Sequence, residues 1–157
     1  MRTWARCRPT PVLRVPLTRD QRSAIGALSS DGHLFLQTPS GADHSTEVVG
    51  FLRLLVRKIS GKLRIIGDGA PSHRGQPIKD FLARGAAQRL PLEQLPGYAP
   101  DLNPVEGIGT DLNCRELGNV GCQDCAELDL ALRRAKERLR HQRHVLLGCI
   151  TACGYQV

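Results

Sequence analysis

Long apolar runs are what this sequence most lacks. No stretch approaches the roughly 18 consecutive apolar residues of a membrane span, and the Arg-rich start has no apolar run behind it to serve as a secretory signal. Internal repeats, low-complexity tracts and linker-like segments are missing too, so nothing divides the chain. What is present is 157 residues with 41% hydrophobic content, enough for one domain to bury a real core. The expectation is a single soluble, intracellular globular unit over residues 1–157.

Six cysteines raise the question of disulfides. The chain is long and aliphatic enough to fold without them and shows no export signal, so reduced thiols are expected. Cys122 and Cys125 form a C-x-x-C, followed by His141, His144, Cys149 and Cys153. A structural zinc site normally puts its second ligand pair beyond a short loop. Here a helical pattern lies between the pairs, which makes zinc the lesser reading.

The formal net charge is +7, and its distribution says more than its sum. Residues 1–22 hold six Arg against one Asp, and residues 133–144 hold six Lys or Arg against Glu137, which leaves the stretch 23–132 at −3. Basic ends around a mildly acidic middle suit a protein that grips phosphate backbone at its margins and gathers carboxylates at its centre. Arg133, Arg134, Lys136, Arg138, Arg140 and Arg143 are the candidate DNA contacts. Their bland alternative is the solvated face of an amphipathic helix.

Periodicity gives an α/β order. Residues 23–28 and 33–37 read as strands around the turn-forming Ser29-Ser30-Asp31-Gly32, making a hairpin, with a short apolar piece at residues 12–15 before it. Val48, Phe51, Leu52, Leu55, Val56 and Ile59 recur at helical spacing over residues 45–59, and Gly61 ends that helix. Residues 63–66 form a short apolar run, as a buried strand would, and deliver Asp68 to its carboxyl end. Pro77 and Gly85 bracket a helix with Ile78, Phe81 and Leu82 inward, and Leu90, Leu92 and Leu95 suggest another strand. Asn103-Pro104-Val105-Glu106 opens a helix with an N-cap, a proline at N1 and a glutamate at N3. Asp124 and Glu127 cap the last long helix, whose apolar seam is Leu128, Leu132, Ala135 and Leu139. In open α/β sheets chemistry collects at the carboxyl ends of strands, and Asp68 sits at such an end.

Taken singly, Asp68-Gly69 reads as a turn and Glu106 as the glutamate of a capping box. The surrounding segments point elsewhere. Ile65-Ile66-Gly67-Asp68-Gly69-Ala70-Pro71-Ser72-His73 resembles the strand-end aspartate motif of mariner-type DDE transposases, with a His five residues on. Leu95-Pro96-Gly97-Tyr98-Ala99-Pro100-Asp101-Leu102-Asn103-Pro104-Val105-Glu106 resembles the same family's Pro-x-Tyr-x-Pro-x-Leu-Asn-Pro-x-Glu signature. The 37 residues between Asp68 and Glu106 also agree with that family.

The resemblance implies a ribonuclease H-like fold, a mixed sheet flanked by helices, and a bacterial, cytoplasmic protein acting in DNA transposition. It implies a two-metal phosphodiester reaction with Mg²⁺ or Mn²⁺ on hard carboxylate oxygens. Asp68 would be the second of three carboxylates and Glu106 the third, close together at one end of the sheet. His73 and Asn103 would support the site rather than ligate metal. DNA, as transposon ends and target, is the implied partner, with a homo-oligomer a further expectation and no membrane.

Two departures from the family pattern stand out. The family's first aspartate ends the central strand in an Asp-Glu pair, ahead of a Trp-containing loop that Thr3-Trp4-Ala5-Arg6-Cys7-Arg8-Pro9-Thr10-Pro11 resembles. That aspartate is therefore expected before Met1, together with its strand, and Asp20, Asp31 and Asp43 stand in the wrong places to replace it. Where the family has a Trp and then a basic residue after the glutamate, this chain has Gly109 and Asn113. The expectation is a transposase catalytic-domain fragment, inactive alone. The alternative is a DNA-binding module that keeps the fold without the catalysis, and a zinc-stabilised interaction protein stands third.

Overall fold

The computed structural model of the chain describes residues 22–39, 44–70, 73–118, 120–122 and 124–157. The apolar piece at residues 12–15, the Trp4 loop, Asp20 and Asp43 lie outside the described residues. Strands β1 (Ile25–Leu28) and β2 (Leu34–Gln37) form the expected antiparallel hairpin, with Leu28 facing Leu34 next to the turn and Ile25 facing Gln37 at the open end. Its turn is tied by side chains. The Ser29 hydroxyl donates to Asp31, His33 Nδ1 lies 2.9 Å from the other carboxylate oxygen, and the His33 amide donates to the Ser29 hydroxyl at 3.0 Å. The hydroxyl bond, and then His33, hold the Asp31 carboxyl below the ordinary carboxylate range.

Helix α1 (His44–Lys58) follows, then strand β3 (Ile65–Gly67), helix α2 (Gln76–Ala83) and strand β4 (Leu92–Gln94). Strands β3 and β4 run parallel, with Ile65 opposite Leu92 and Gly67 opposite Gln94. Among the described residues the strands thus form two separate two-stranded sheets, antiparallel β1–β2 and parallel β3–β4, in a mixed α/β arrangement flanked by helices rather than one mixed sheet.

The apolar face of α1 behaves as its spacing predicts. Val48, Val49 and Leu52 pack with Ile78 of α2 and Leu90 into one buried cluster, and Ile25, Val56, Leu63, Ile65, Phe81 and Leu82 lean on it. Arg53 lies over the Phe81 ring, 5.6 Å from its centroid, and closes the α1–α2 seam with a cation–π contact. Arg89 reaches back to the carbonyls of Gly61, at 2.8 Å, and Ile59, and so satisfies carbonyls at and beyond the end of α1.

Helix α3 (Pro104–Asp111) continues into a wider π-helical turn over Leu112–Glu116, and α4 (Cys125–His141) and α5 (Arg143–Ala152) complete the chain. Leu34 and Leu36 of β2 bury a second cluster with Ile108, Leu112, Leu132, Ala135, Leu139 and Leu146. Leu132, Ala135 and Leu139 belong to the seam read from the sequence, and Leu128 packs against the same cluster. Asp124 caps α4 as expected, accepting from the Glu127 amide at 2.8 Å. Among the described residues no helix is long and apolar enough to cross a membrane.

Gly109 stands where the family has an indole, and a Cβ built there meets nothing within 4 Å. Glycine inside a helix costs roughly 0.5–1 kcal/mol relative to alanine, through lost backbone entropy. Gly109→Ala is therefore expected to raise the melting temperature by a few degrees. A fall on thermal denaturation followed by circular dichroism would show that the position is closed.

Candidate active site

Asp68 follows the last residue of β3, where the parallel ladder ends. The ladder is extended by one further bond, the Leu95 amide donating to the Gly67 carbonyl at 2.8 Å. Gly69 next to it has φ +70°, and the Gln94 side chain occupies the space a Cβ would need. The positive φ favours glycine at 69, and the Gln94 side chain lies over the turn that carries Asp68.

The turn reading of Asp68 is correct, but it accounts for only one of the two oxygens. Oδ1 accepts from the Ala70 amide at 3.0 Å and lies 3.0 Å from His73 Nδ1. No hydrogen bond is made to Oδ2 by a described residue, and the side chain is 49% exposed. Asp68 is held by one oxygen and presents the other. His73 contacts the held oxygen, not the free one.

Glu106 lies at the third position of α3, as a capping-box glutamate would. The reciprocal bond of a capping box, from Glu106 back to the Asn103 amide, is not formed. That amide already donates to the Pro100 carbonyl at 2.9 Å, through the short 3₁₀ turn Pro100–Leu102. Asn103 does its own part, its side chain accepting from the Val105 amide at 3.2 Å. The Glu106 carboxylate is left exposed, with no ion pair or hydrogen bond to a described residue. Its helix is fixed from below, because Cys149 of α5 sits 3.1 Å from the Cβ position of Gly107, and Tyr155 donates its hydroxyl to the Leu102 carbonyl at 2.9 Å. Burial, and then Asp111, raise the Cys149 thiol above its ordinary range, so it stays a neutral packing group there.

Asp68 and Glu106 thus share one short connection. The strand β4 ends beside Gly67, and residues 96–103 then lead directly to the start of α3. Hard, exposed carboxylate oxygens of this kind suit Mg²⁺ or Mn²⁺. Among the described residues no group of three or more His, Cys, Asp and Glu side chains is arranged to hold a metal ion. The C-x-x-C pair and the later His and Cys residues therefore do not converge. Asp31 has both oxygens engaged in the hairpin turn.

The basic cluster divides. Arg138 is committed to Glu116, tying α4 to the π-helical turn after α3. Arg140 pairs with Glu137 at 3.0 Å, and Arg143 donates to the Asp31 carbonyl at 3.1 Å. Arg133 and Arg134 are exposed, Lys136 is half-buried, and none of the three makes an ion pair with a described residue. Partial burial, and then the charge of Arg140, lower the pKa of Lys136, with Arg133 adding to the effect. Arg133 borders a cleft with Arg22, Thr38, Pro39 and Asp129, in which Arg22 and Asp129 form an ion pair of 3.0 Å.

Sequence reading did not single out Gln94. Its signal is the parallel register, which no local pattern contains.

Residues 2–128 match the family described as DDE superfamily endonuclease. Among solved structures, the crystal structure of the catalytic domain of Mos1 mariner transposase is similar, with a TM-score of 0.51 and 18% sequence identity over 87% of this chain and 76% of that one. The Mos1 transposase catalytic domain with Raltegravir and Mn gives the same TM-score and identity over 87% and 77%. No curated protein matches the sequence. The structural likeness establishes the ribonuclease H-like α/β arrangement expected from the motifs.

Proposed function

From a chain that belongs to the DDE superfamily endonuclease family, we propose a mariner-type transposase catalytic-domain fragment, built for metal-dependent cleavage and joining of DNA strands. The observation that carries the reading is the pair of uncommitted carboxylate oxygens. Asp68 Oδ2 and the Glu106 carboxylate have no protein partner among the described residues, while Asp68 Oδ1 and the α3 start are fully served by Ala70, His73, Asn103 and Pro100. Exposed unpaired anions at a strand end and a helix start are suited to a divalent cation.

Asp68 and Glu106 hold Mg²⁺ or Mn²⁺, His73 fixes the Asp68 rotamer, and Asn103 fixes the turn from which Glu106 projects. Bound metal of this class activates the attacking oxygen and stabilises the leaving one in an in-line phosphoryl displacement. The reaction needs a third carboxylate. Asp31 is poorly placed to provide it with both oxygens engaged in the hairpin, and in this reading the 157 residues bind metal and DNA without cutting. Transposon ends and target DNA are the partners, and Arg133, Arg134 and Lys136 are the phosphate contacts. The alternative, a DNA-binding module of the same fold without catalysis, would use that same basic set and needs no metal at Asp68 and Glu106.

Metal binding tests the assignment without activity. Titration of Mn²⁺ followed by electron paramagnetic resonance should show a site that Asp68→Ala and Glu106→Ala each weaken tenfold or more, and that Asp101→Asn leaves alone. Equal affinity in all four proteins would remove both residues from the site.

A further inference from the structure

The turn between β4 and α3 contains an uncommon backbone conformation. Tyr98 has φ +58°, the one positive φ at a non-glycine among the described residues. For an L-residue with a bulky side chain this left-handed region is strained. Glycine occupies it without strain, and a glycine is adjacent, yet Gly97 is not among the residues with positive φ. The strained position therefore carries a tyrosine, with the permissive residue beside it.

That backbone holds the ring in the open. Tyr98 is 107% exposed, more than any other large apolar side chain described, and its hydroxyl makes no hydrogen bond to a described residue. Single exposed apolar residues are ordinary on protein surfaces. Strain that presents one is not, and it is characteristic of sites that meet a ligand.

The ends of the turn say which ligand. On one side Leu95 is bonded to Gly67, the residue before Asp68. On the other, Leu102 is held by Tyr155 and followed by Asn103, which caps the helix of Glu106. Tyr98 lies three residues from Leu95, at most about 11 Å along the chain. It lies on the segment that joins the end of the β3–β4 ladder, next to Asp68, to the start of the helix that carries Glu106.

We propose that Tyr98 stacks on an unpaired base of the DNA strand whose phosphate lies at Asp68 and Glu106. The inference rests on the reading of those residues as the metal-binding site. A phenol ring offers a flat face that any base can cover, so the contact is tolerant of sequence. It needs an unpaired or frayed base, because bases inside a duplex already stack on each other.

The test uses the 157-residue protein and a DNA duplex with a single-stranded overhang containing 2-aminopurine, in Mg²⁺ buffer. Binding should quench the 2-aminopurine. Tyr98→Ala should abolish the quenching and weaken overhang binding about tenfold while leaving affinity for a blunt duplex unchanged, and Tyr98→Phe should behave as the parent. Tyr98→Gly should melt no lower than the parent, which separates loss of stacking from loss of fold. Quenching that survives in Tyr98→Ala overturns the proposal while leaving the DNA reading intact. So does a concentration-dependent self-association that Tyr98→Ala abolishes with DNA binding untouched, since the ring then faces a second copy. Failure of the parent protein to bind any DNA overturns both.

Discussion

Incubated with Mn²⁺ and DNA bearing candidate transposon ends, the 157-residue chain is expected to leave the DNA uncut, and Asp68→Ala to be indistinguishable from it. Two-metal chemistry would need a third carboxylate beside Asp68 and Glu106, and a site short of it would leave the positive charges poorly fixed where the transition state needs them. Asp68 and Glu106 have free oxygens for metal, but Asp31 spends both of its own on Ser29 and His33. Cleavage by the 157 residues, abolished by Asp68→Ala, would mean that another residue supplies the third carboxylate.

The second large effect concerns salt. Each phosphate neutralised by a Lys or Arg adds about 0.9 to the slope of log K against log salt on duplex DNA. Changing Arg133, Arg134 and Lys136 together to Gln should therefore flatten the slope by two to three, a loss of orders of magnitude in affinity at low salt. Restoring Lys136 alone should recover about one unit. Arg138→Gln should do the opposite, lowering thermal stability by breaking the pair with Glu116 and leaving the slope nearly unchanged. A triple variant with the parental slope would return the cluster to a solvated helix face.

The sequence was most legible where one local rule decides the outcome. Helical spacing identified the buried faces of α1 and α4, since a residue's side of a helix follows from its number. Asn103 and Asp124 marked helix starts because capping is a contact within a few residues. The family motifs located both candidate carboxylates. What stayed hidden depends on distant segments. Glu106 read equally well as a capping glutamate, and the choice turned on the Pro100 carbonyl reaching the Asn103 amide first. The register that sets Gln94 opposite Gly67 arises from pairing two strands about 27 residues apart, not from either strand. Helix α5 gave little warning, because Gln142 supplies no side-chain cap and Gly148 weakens the pattern inside it. The charges in residues 133–144 looked uniform in sequence and became two populations only when Glu116, Glu137 and the Asp31 carbonyl claimed half of them.

The family match stops at residue 128, whereas Cys149 and Tyr155 brace the segment from which Glu106 projects. A boundary drawn by family likeness would therefore cut through the scaffold of the glutamate. The same geometry bears on how the protein is handled. A tag fused after Val157 begins two residues from the hydroxyl that holds Leu102, so traction or bulk at that end acts on the turn between Tyr98 and Glu106. Immobilisation through the C-terminus should disturb metal and DNA binding, and attachment through an exposed residue of α1, such as Arg57 or Lys58, should leave both intact.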